Sequence, residues 1–385
     1  MKKRLLSVAM TAVMAVGVLA GCGNSAAAGS KDELVVGGIG PVSGDAAIYG
    51  EAVKNGATLA FEEINEAGGI NGMKVTFNFQ DDECDNEKAV NAYNALKDKG
   101  AKIILGATTS GCTIAVAEKT AEDNMFQITP SGSAVDCVAN DNAFRICFND
   151  PNQGVASAQY IAQNELAKKV AIIYDSSDVY SSGIFDKFVA EAETQGLEIV
   201  AKEAFTSDAK TDFSVQLQKV KESGAELVFL PIYYQEAALI LAQADKAGLD
   251  NVAWFGCDGL DGIINQLGDD AALAEGVMLL TPFAADAEDE KTQKFVKAYE
   301  AKYNATPNQF AADAYDAAYA IKAAIEKADV KDGTISASDL CEKLKAAMLE
   351  ITVDGVTGSM TWTADGEPTK EPKAMVIKDG AYSAL

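Results

Sequence analysis

From residue 34 onward, short apolar runs alternate with longer stretches whose apolar positions recur every three or four residues. The runs are LVVGGIG (34–40), KVTFNF (74–79), KIILGA (102–107), MFQIT (125–129), KVAIIYD (169–175), ELVFLPIY (226–233), NVAWFG (251–256) and GVMLLTP (276–282). Continuous apolar runs of this length predict strands buried on both faces, as in a parallel sheet. Between them, Val53, Gly56, Ala57, Ala60 and Ile64 fall at i, i+3, i+4, i+7 and i+11, and Phe310, Ala314, Ala317, Ile321 and Ile325 make a second such face. These are helical stripes. Gly100, Gly196, Gly224 and Gly248 each stand between a helical stretch and the next strand, where a left-handed residue stops a helix. The repeated unit is βα, and the fold class it predicts is α/β with parallel sheets flanked by helices.

The pattern breaks at FNDPN (148–152), which separates a first set of βα units from a second ending near Pro282. The remainder of the chain is helix-rich (288–347) and then carries two strand-like runs, GSMTW (358–362) and KAMVI (373–377). Such a tail cannot form a domain of its own. It is expected to complete both earlier lobes: residues 33–148 plus 282–357 in one, 149–281 plus 358–385 in the other, the chain crossing between them more than once.

The N-terminus reads as an address. Lys2, Lys3 and Arg4 precede an apolar stretch from Leu5 to Leu19, too short to span a bilayer, and Ala20, Gly21 and Cys22 come directly after it. LAGC (19–22) resembles the bacterial lipoprotein signal, in which the cysteine is lipidated and becomes the first mature residue. Residues 1–21 are then a signal peptide, and the small, polar segment 22–32 is a tether outside the membrane.

Charge and composition remove whole classes of function. The 385 residues hold 57 Asp and Glu against 32 Lys and Arg, a net charge of −25 that repels nucleic acid. There is no histidine, which removes the commonest general base and metal ligand, together with every Ser/His or Cys/His nucleophile. No enzyme, metal or cofactor is indicated. GGIGPVSG (37–44) has the spacing G-x-G-x-x-x-G rather than that of a dinucleotide fingerprint. DDECD (81–85) lacks the alternation of a calcium loop, and DAEDE (286–290) reads as a solvated helix start. In an oxidising compartment outside the cytoplasm the cysteines can bridge. Cys84 and Cys112 each lie just after a predicted strand, and Cys137 and Cys147 lie ten residues apart around a polar turn; Cys257 and Cys341 have no local partner. Buried free thiols are the alternative for all six.

In open α/β sheets, ligands bind beyond the carboxyl ends of the strands. There the first lobe offers Thr108, Thr109, Ser110, Ser131, Gly132 and Ser133, hydroxyls and glycines that open helices and suit a carboxylate. The second lobe offers Asp178, Tyr180, Tyr233, Tyr234, Glu236 and Asp258, suited to an ammonium. Each is also what a helix cap or a packed ring looks like. Together they form a complementary pair for a zwitterion.

At these residues the chain resembles a known family. GPVSGDAAIYGEAVKNGATLAFEEINEAGGINGMKV (40–75), ILGATTSG (104–111), ITPSGS (128–133), DVYSSG (178–183) and FGCDG (255–259) are similar to the leucine/isoleucine/valine-binding proteins of ABC importers. The resemblance implies a type I periplasmic-binding-protein fold, a venus flytrap of two Rossmann-like lobes joined by three crossovers. It implies no catalysis, and as partners a free amino acid, most expectedly branched-chain, and a membrane permease, with the protein acting as a monomer. By position, Ser110 and Ser133 would hold the ligand carboxylate. The Ser131 carbonyl, the Ser133 hydroxyl and Asp258 would take the ammonium. Tyr49 and Phe310 would line the side-chain pocket, with Tyr180 and Tyr233 closing over it. Ser133 stands where the family has threonine, and Asp258 where it more often has glutamate. The second cysteine of the family's first-lobe disulfide is displaced from the position of Thr109 to Cys112. A receptor of the same fold that senses another small amino acid or amide is the alternative.

Overall fold

The computed structural model describes residues 30–249 and 251–385. The signal peptide, the lipidation site at Cys22 and most of the tether therefore lie outside the described residues.

The first lobe begins β1 (Glu33–Gly40), α1 (Ala47–Glu66), β2 (Lys74–Asp81), α2 (Asn86–Asp98), β3 (Ile103–Leu105), α3 (Ser110–Glu122), β4 (Phe126–Thr129) and β5 (Ala143–Arg145). Its five strands form one parallel sheet in the order β2-β1-β3-β4-β5. The chain then crosses to the second lobe: α4 (Asp150–Gln163), β6 (Lys169–Asp175), α5 (Val179–Gln195), β7 (Glu198–Phe205), α6 (Ser214–Ser223), β8 (Leu227–Leu230), α7 (Tyr234–Ala247), β9 (Ala253–Gly256), α8 (Ile263–Leu267) and β10 (Met278–Thr281). A second crossing delivers α9 (Glu290–Tyr303), α10 (Gln309–Lys327) and α11 (Ala337–Met348), then the hairpin β11 (Val353–Gly355) and β12 (Gly358–Met360). A third crossing returns β13 (Lys373–Lys378) and β14 (Ala381–Ala384) to the second sheet, whose order is β14-β13-β10-β9-β8-β6-β7, antiparallel only at β13 and β14. The reversal of strand order on either side of the first strand in each lobe opens a crevice at the strand ends, and the two crevices face each other.

Every predicted apolar run contains a strand; β3, β4 and β8 are buried at every position, whereas β2 is buried only at Val75. Gly196, Gly224 and Gly248 adopt the left-handed conformation that ends α5, α6 and α7. The stripe on α1 packs against that on α10, and Gly56 sits at the crossing. A Cβ there would lie 2.0 Å from the Ala311 carbonyl oxygen.

One boundary is corrected. Residues 358–368 were expected in the second lobe, yet β12 pairs with β11, the Trp362 indole donates to the Arg145 carbonyl, and Arg145 N donates to the Gly366 carbonyl. This segment is fastened to the edge of the first sheet beside β5, and the crossing comes after it. Strand-like composition locates a strand but not the sheet it joins.

Candidate functional site

The first lobe contributes a floor of backbone and hydroxyls. β3 ends at Leu105 and the chain turns through Thr108 and Thr109 into α3, whose first residue is Ser110. After β4, the loop Pro130–Ala134 runs alongside. Ser131 Oγ donates to the Thr108 carbonyl at 2.6 Å, and the amides of Ser133 and Ala134 donate to Ser110 Oγ at 3.2 and 3.1 Å. Accepting those two bonds leaves the Ser110 hydroxyl proton free, beside the unpaired amides at the helix start. Ser133 Oγ is buried with no partner in the protein. These groups are donors aimed at one place, and with the dipole of α3 they suit a carboxylate.

Arg145 holds that loop in position. It is fully buried, and its guanidinium donates to the carbonyls of Gly132, Ala134 and Val135 at 3.0, 2.9 and 3.3 Å, while Nε pairs with Glu367 at 3.2 Å. The sequence reading missed it, although a signal was there: it is the only arginine of the chain besides Arg4. A single guanidinium amid lysines marks a site that needs several donors in a fixed plane.

The second lobe contributes the opposite charge. Asp258 opens the turn after β9 and is 4% exposed. Its Oδ1 accepts from the Tyr180 hydroxyl at 2.7 Å, and that hydroxyl in turn accepts from Gly259 N at 2.9 Å. Gln153 on α4 and Gln309 on α10 bind the Asp258 backbone, the first by accepting from its amide at 3.2 Å and the second by donating to its carbonyl at 2.8 Å. Burial raises the Asp258 carboxyl to about 7, against the opposing hydrogen bonds from Tyr180 and Gln153. A carboxylate so placed lacks a cation.

The rings lie between. Tyr49 on α1 and Phe310 on α10 have centroids 4.3 Å apart, Tyr180 and Tyr233 stack at 5.1 Å, and Tyr49 meets Tyr233 edge-on at 5.6 Å. The Tyr49 hydroxyl donates to the Gly259 carbonyl at 2.5 Å and accepts from Tyr234 N at 3.1 Å, and Ile48 N donates to the Tyr234 hydroxyl at 3.2 Å. All three bonds run from lobe to lobe, so the cleft is closed.

Tyr49, Ser110, Ser131, Ser133, Tyr180, Tyr233, Asp258 and Phe310 all line one small, tightly closed cavity, which Thr108, Thr109 and Gly259 complete. Donors for an anion lie on one wall and an acceptor for a cation on the other, with aromatic faces between them. Among the described residues, no group of three or more Cys, Asp or Glu is placed to hold a metal ion.

The six cysteines among the described residues are free thiols. Cys137 donates to the Ser110 carbonyl at 3.6 Å rather than meeting Cys147, and both are buried. Cys84 and Cys112 are neighbours, and Cys84 Sγ donates to Thr109 Oγ1 at 3.6 Å. The bridges considered from the sequence are thus absent, the second because the turn between Cys137 and Cys147 sends its two ends into different surroundings. Also unanticipated is Asp150 at the first crossing: it is 1% exposed, neither carboxylate oxygen has a partner, and burial pushes its carboxyl well above the usual range. FNDPN announced only a break in pattern.

Known proteins place this architecture. Residues 33–381 match the family described as Periplasmic binding protein. A Leu/Ile/Val-binding protein homolog of Brucella melitensis is 31% identical over 338 residues, 87% of this chain and 88% of that one. A leucine-, isoleucine-, valine-, threonine- and alanine-binding protein of Pseudomonas aeruginosa is 29% identical over 341 residues, 88% of each. The crystal structure of the branched-chain amino acid transporter substrate-binding protein LivJ of Streptococcus pneumoniae, in complex with isoleucine, superposes with a TM-score of 0.83 at 29% identity, covering 91% of this chain and 98% of that one. With the matched span taking in both lobes and all three crossings, the chain belongs to the periplasmic binding protein family, in its leucine/isoleucine/valine-binding branch.

Proposed function

We propose that this protein is the solute-capturing component of an ABC importer, held outside the membrane by lipid on Cys22, and that it takes a free branched-chain amino acid by closing its lobes. One observation carries the reading: a single small cavity joins carboxylate donors from the first lobe to Asp258 from the second, with aromatic rings between. Leucine, isoleucine and valine have that charge pattern and an apolar side chain for Tyr49, Phe310 and Tyr233. Binding requires no reaction, since nothing in the site is arranged as nucleophile and base. The isoleucine bound to LivJ of Streptococcus pneumoniae supports the same reading, and the closed monomer is the form a permease would receive.

The two ends of the ligand do different work. A buried ion left without its partner costs ~3–5 kcal/mol, so the charged groups decide whether an amino acid binds at all. Burying a branched side chain contributes only ~1.5–3 kcal/mol, which sets preference. Calorimetric titration of the chain lacking its first 21 residues should therefore show leucine, isoleucine or valine binding ~10–150-fold more tightly than glycine. The absence of binding by every common amino acid would overturn the proposal.

A further inference from the structure

A second, larger cavity of about 410 Å³ adjoins the amino-acid site and shares with it only Tyr180 and Tyr233. Its walls come from both lobes: Asp45 and Cys84 from the first, Asp175, Asp178, Lys210 and Glu236 from the second. Charge in it is unbalanced. Glu83 at its edge is neutralised by Lys88 at 2.6 Å, but Asp45, Asp175, Asp178 and Glu236 share one cation, Lys210, whose Nζ lies 3.0 Å from Asp45 and 2.9 Å from Glu236. Local structure accounts for part of this: Asp178 caps α5, and Asp175 accepts from the Ser177 hydroxyl and amide. It does not account for Glu236, whose side chain is 7% exposed and whose Oε2 has no partner.

We propose that this cavity is a binding site for a small linear polyamine. The acceptors come from both lobes, Asp45 and Glu236 being bridged by Lys210, and among the described residues no three of them are placed to hold a metal ion, so a chain of ammonium groups fits where one compact ion does not. Tyr180 and Tyr233 line the cavity as an aromatic wall for the methylene segments between the ammonium groups. Lys210 shows what an ammonium does there, because its own bridges carboxylates of the two lobes. An occupant would therefore favour closure. Given the amino-acid site proposed above, each ligand would tighten the other by the same factor.

The test is calorimetric titration of the chain lacking its first 21 residues with spermidine at about 150 mM salt, which screens loose binding to a polyanion. One saturable site is expected, weakened at least ~10-fold by Glu236→Gln and by Asp175→Asn in proteins whose thermal unfolding shows them folded. Lys210→Gln, which frees Asp45 and Glu236, should tighten spermidine, a gain that misfolding cannot imitate. Absence of saturable binding, or weak multivalent binding indifferent to Glu236→Gln, would overturn the proposal. Spermidine binding that saturating leucine leaves unchanged would refute a site between the lobes. Spermidine binding by a protein that takes no amino acid would instead remove the amino-acid reading and leave this site standing.

Discussion

At the residue scale, the proposed function puts the burden of recognition on Asp258. Its carboxylate is held by the Tyr180 hydroxyl and is buried away from water, so it is costly until a cation arrives. The Tyr180 hydroxyl fixes the orientation of Oδ1. Asp258→Asn keeps the shape and removes the charge. We expect it to weaken leucine, isoleucine and valine together by at least ~100-fold, about 2.8 kcal/mol, without altering their order in calorimetric titrations. Unchanged affinity would show that the ammonium is met elsewhere, for which Asp150 is the nearest alternative by charge.

At the scale of elements, the contact between α1 and α10 positions both side-chain rings, since Tyr49 lies in the first turn of one helix and Phe310 in the first turn of the other. The helices approach closely because Gly56 has no side chain where the Ala311 carbonyl passes. A methyl group there must push the helices apart, and overpacking of this kind costs ~1–3 kcal/mol or more. Gly56→Ala should lower the melting temperature by several degrees and also weaken ligand binding, because moving α10 shifts Phe310 and the Gln309 bond to Asp258. A variant with parental melting temperature and affinity would contradict this account of the packing.

Across the whole molecule, closure is a set of bonds between lobes, and Tyr49 makes two of them. Tyr49→Phe retains the ring and deletes both, leaving the Gly259 carbonyl and Tyr234 amide unpaired in the closed form at ~1–3 kcal/mol. All ligands should weaken together, ~5–150-fold, whereas Tyr49→Ala should reorder them; a parental affinity in Tyr49→Phe would show that other contacts close the cleft. Acidity acts at this scale too. Burial raises Asp82 and Asp258 to about 7 and Asp178 and Asp261 to about 6, so the folded, ligand-free protein holds protons that the unfolded chain has released. The stability from these groups is complete below about pH 4 and is lost as pH rises through about 6 and 7. The melting temperature of the ligand-free protein should fall between about pH 5.5 and 8, less steeply in Asp258→Asn, and an amino acid should raise it more at the alkaline end. A ligand-free protein that gains stability with rising pH over that range would refute this.

The sequence by itself determined the repeated βα unit, the two lobes and the residues at the strand ends, because strands buried on both faces leave continuous apolar runs and polar groups must gather where those strands stop. Through resemblance to a family, it also named eight of the eleven residues that line the cavity. It could not determine which sheet residues 358–368 join, since pairing depends on which edge is free, and a three-residue strand such as β5 or β11 carries too few positions for a period. Nor could it assign Arg145, Gln153 and Gln309, whose work is to hold backbone groups of other segments, contacts with no local signature. Whether two thiols bridge, whether a carboxylate meets water or a ring, and where charge is left unbalanced between the lobes are consequences of distance and burial, and only the tertiary structure decides them.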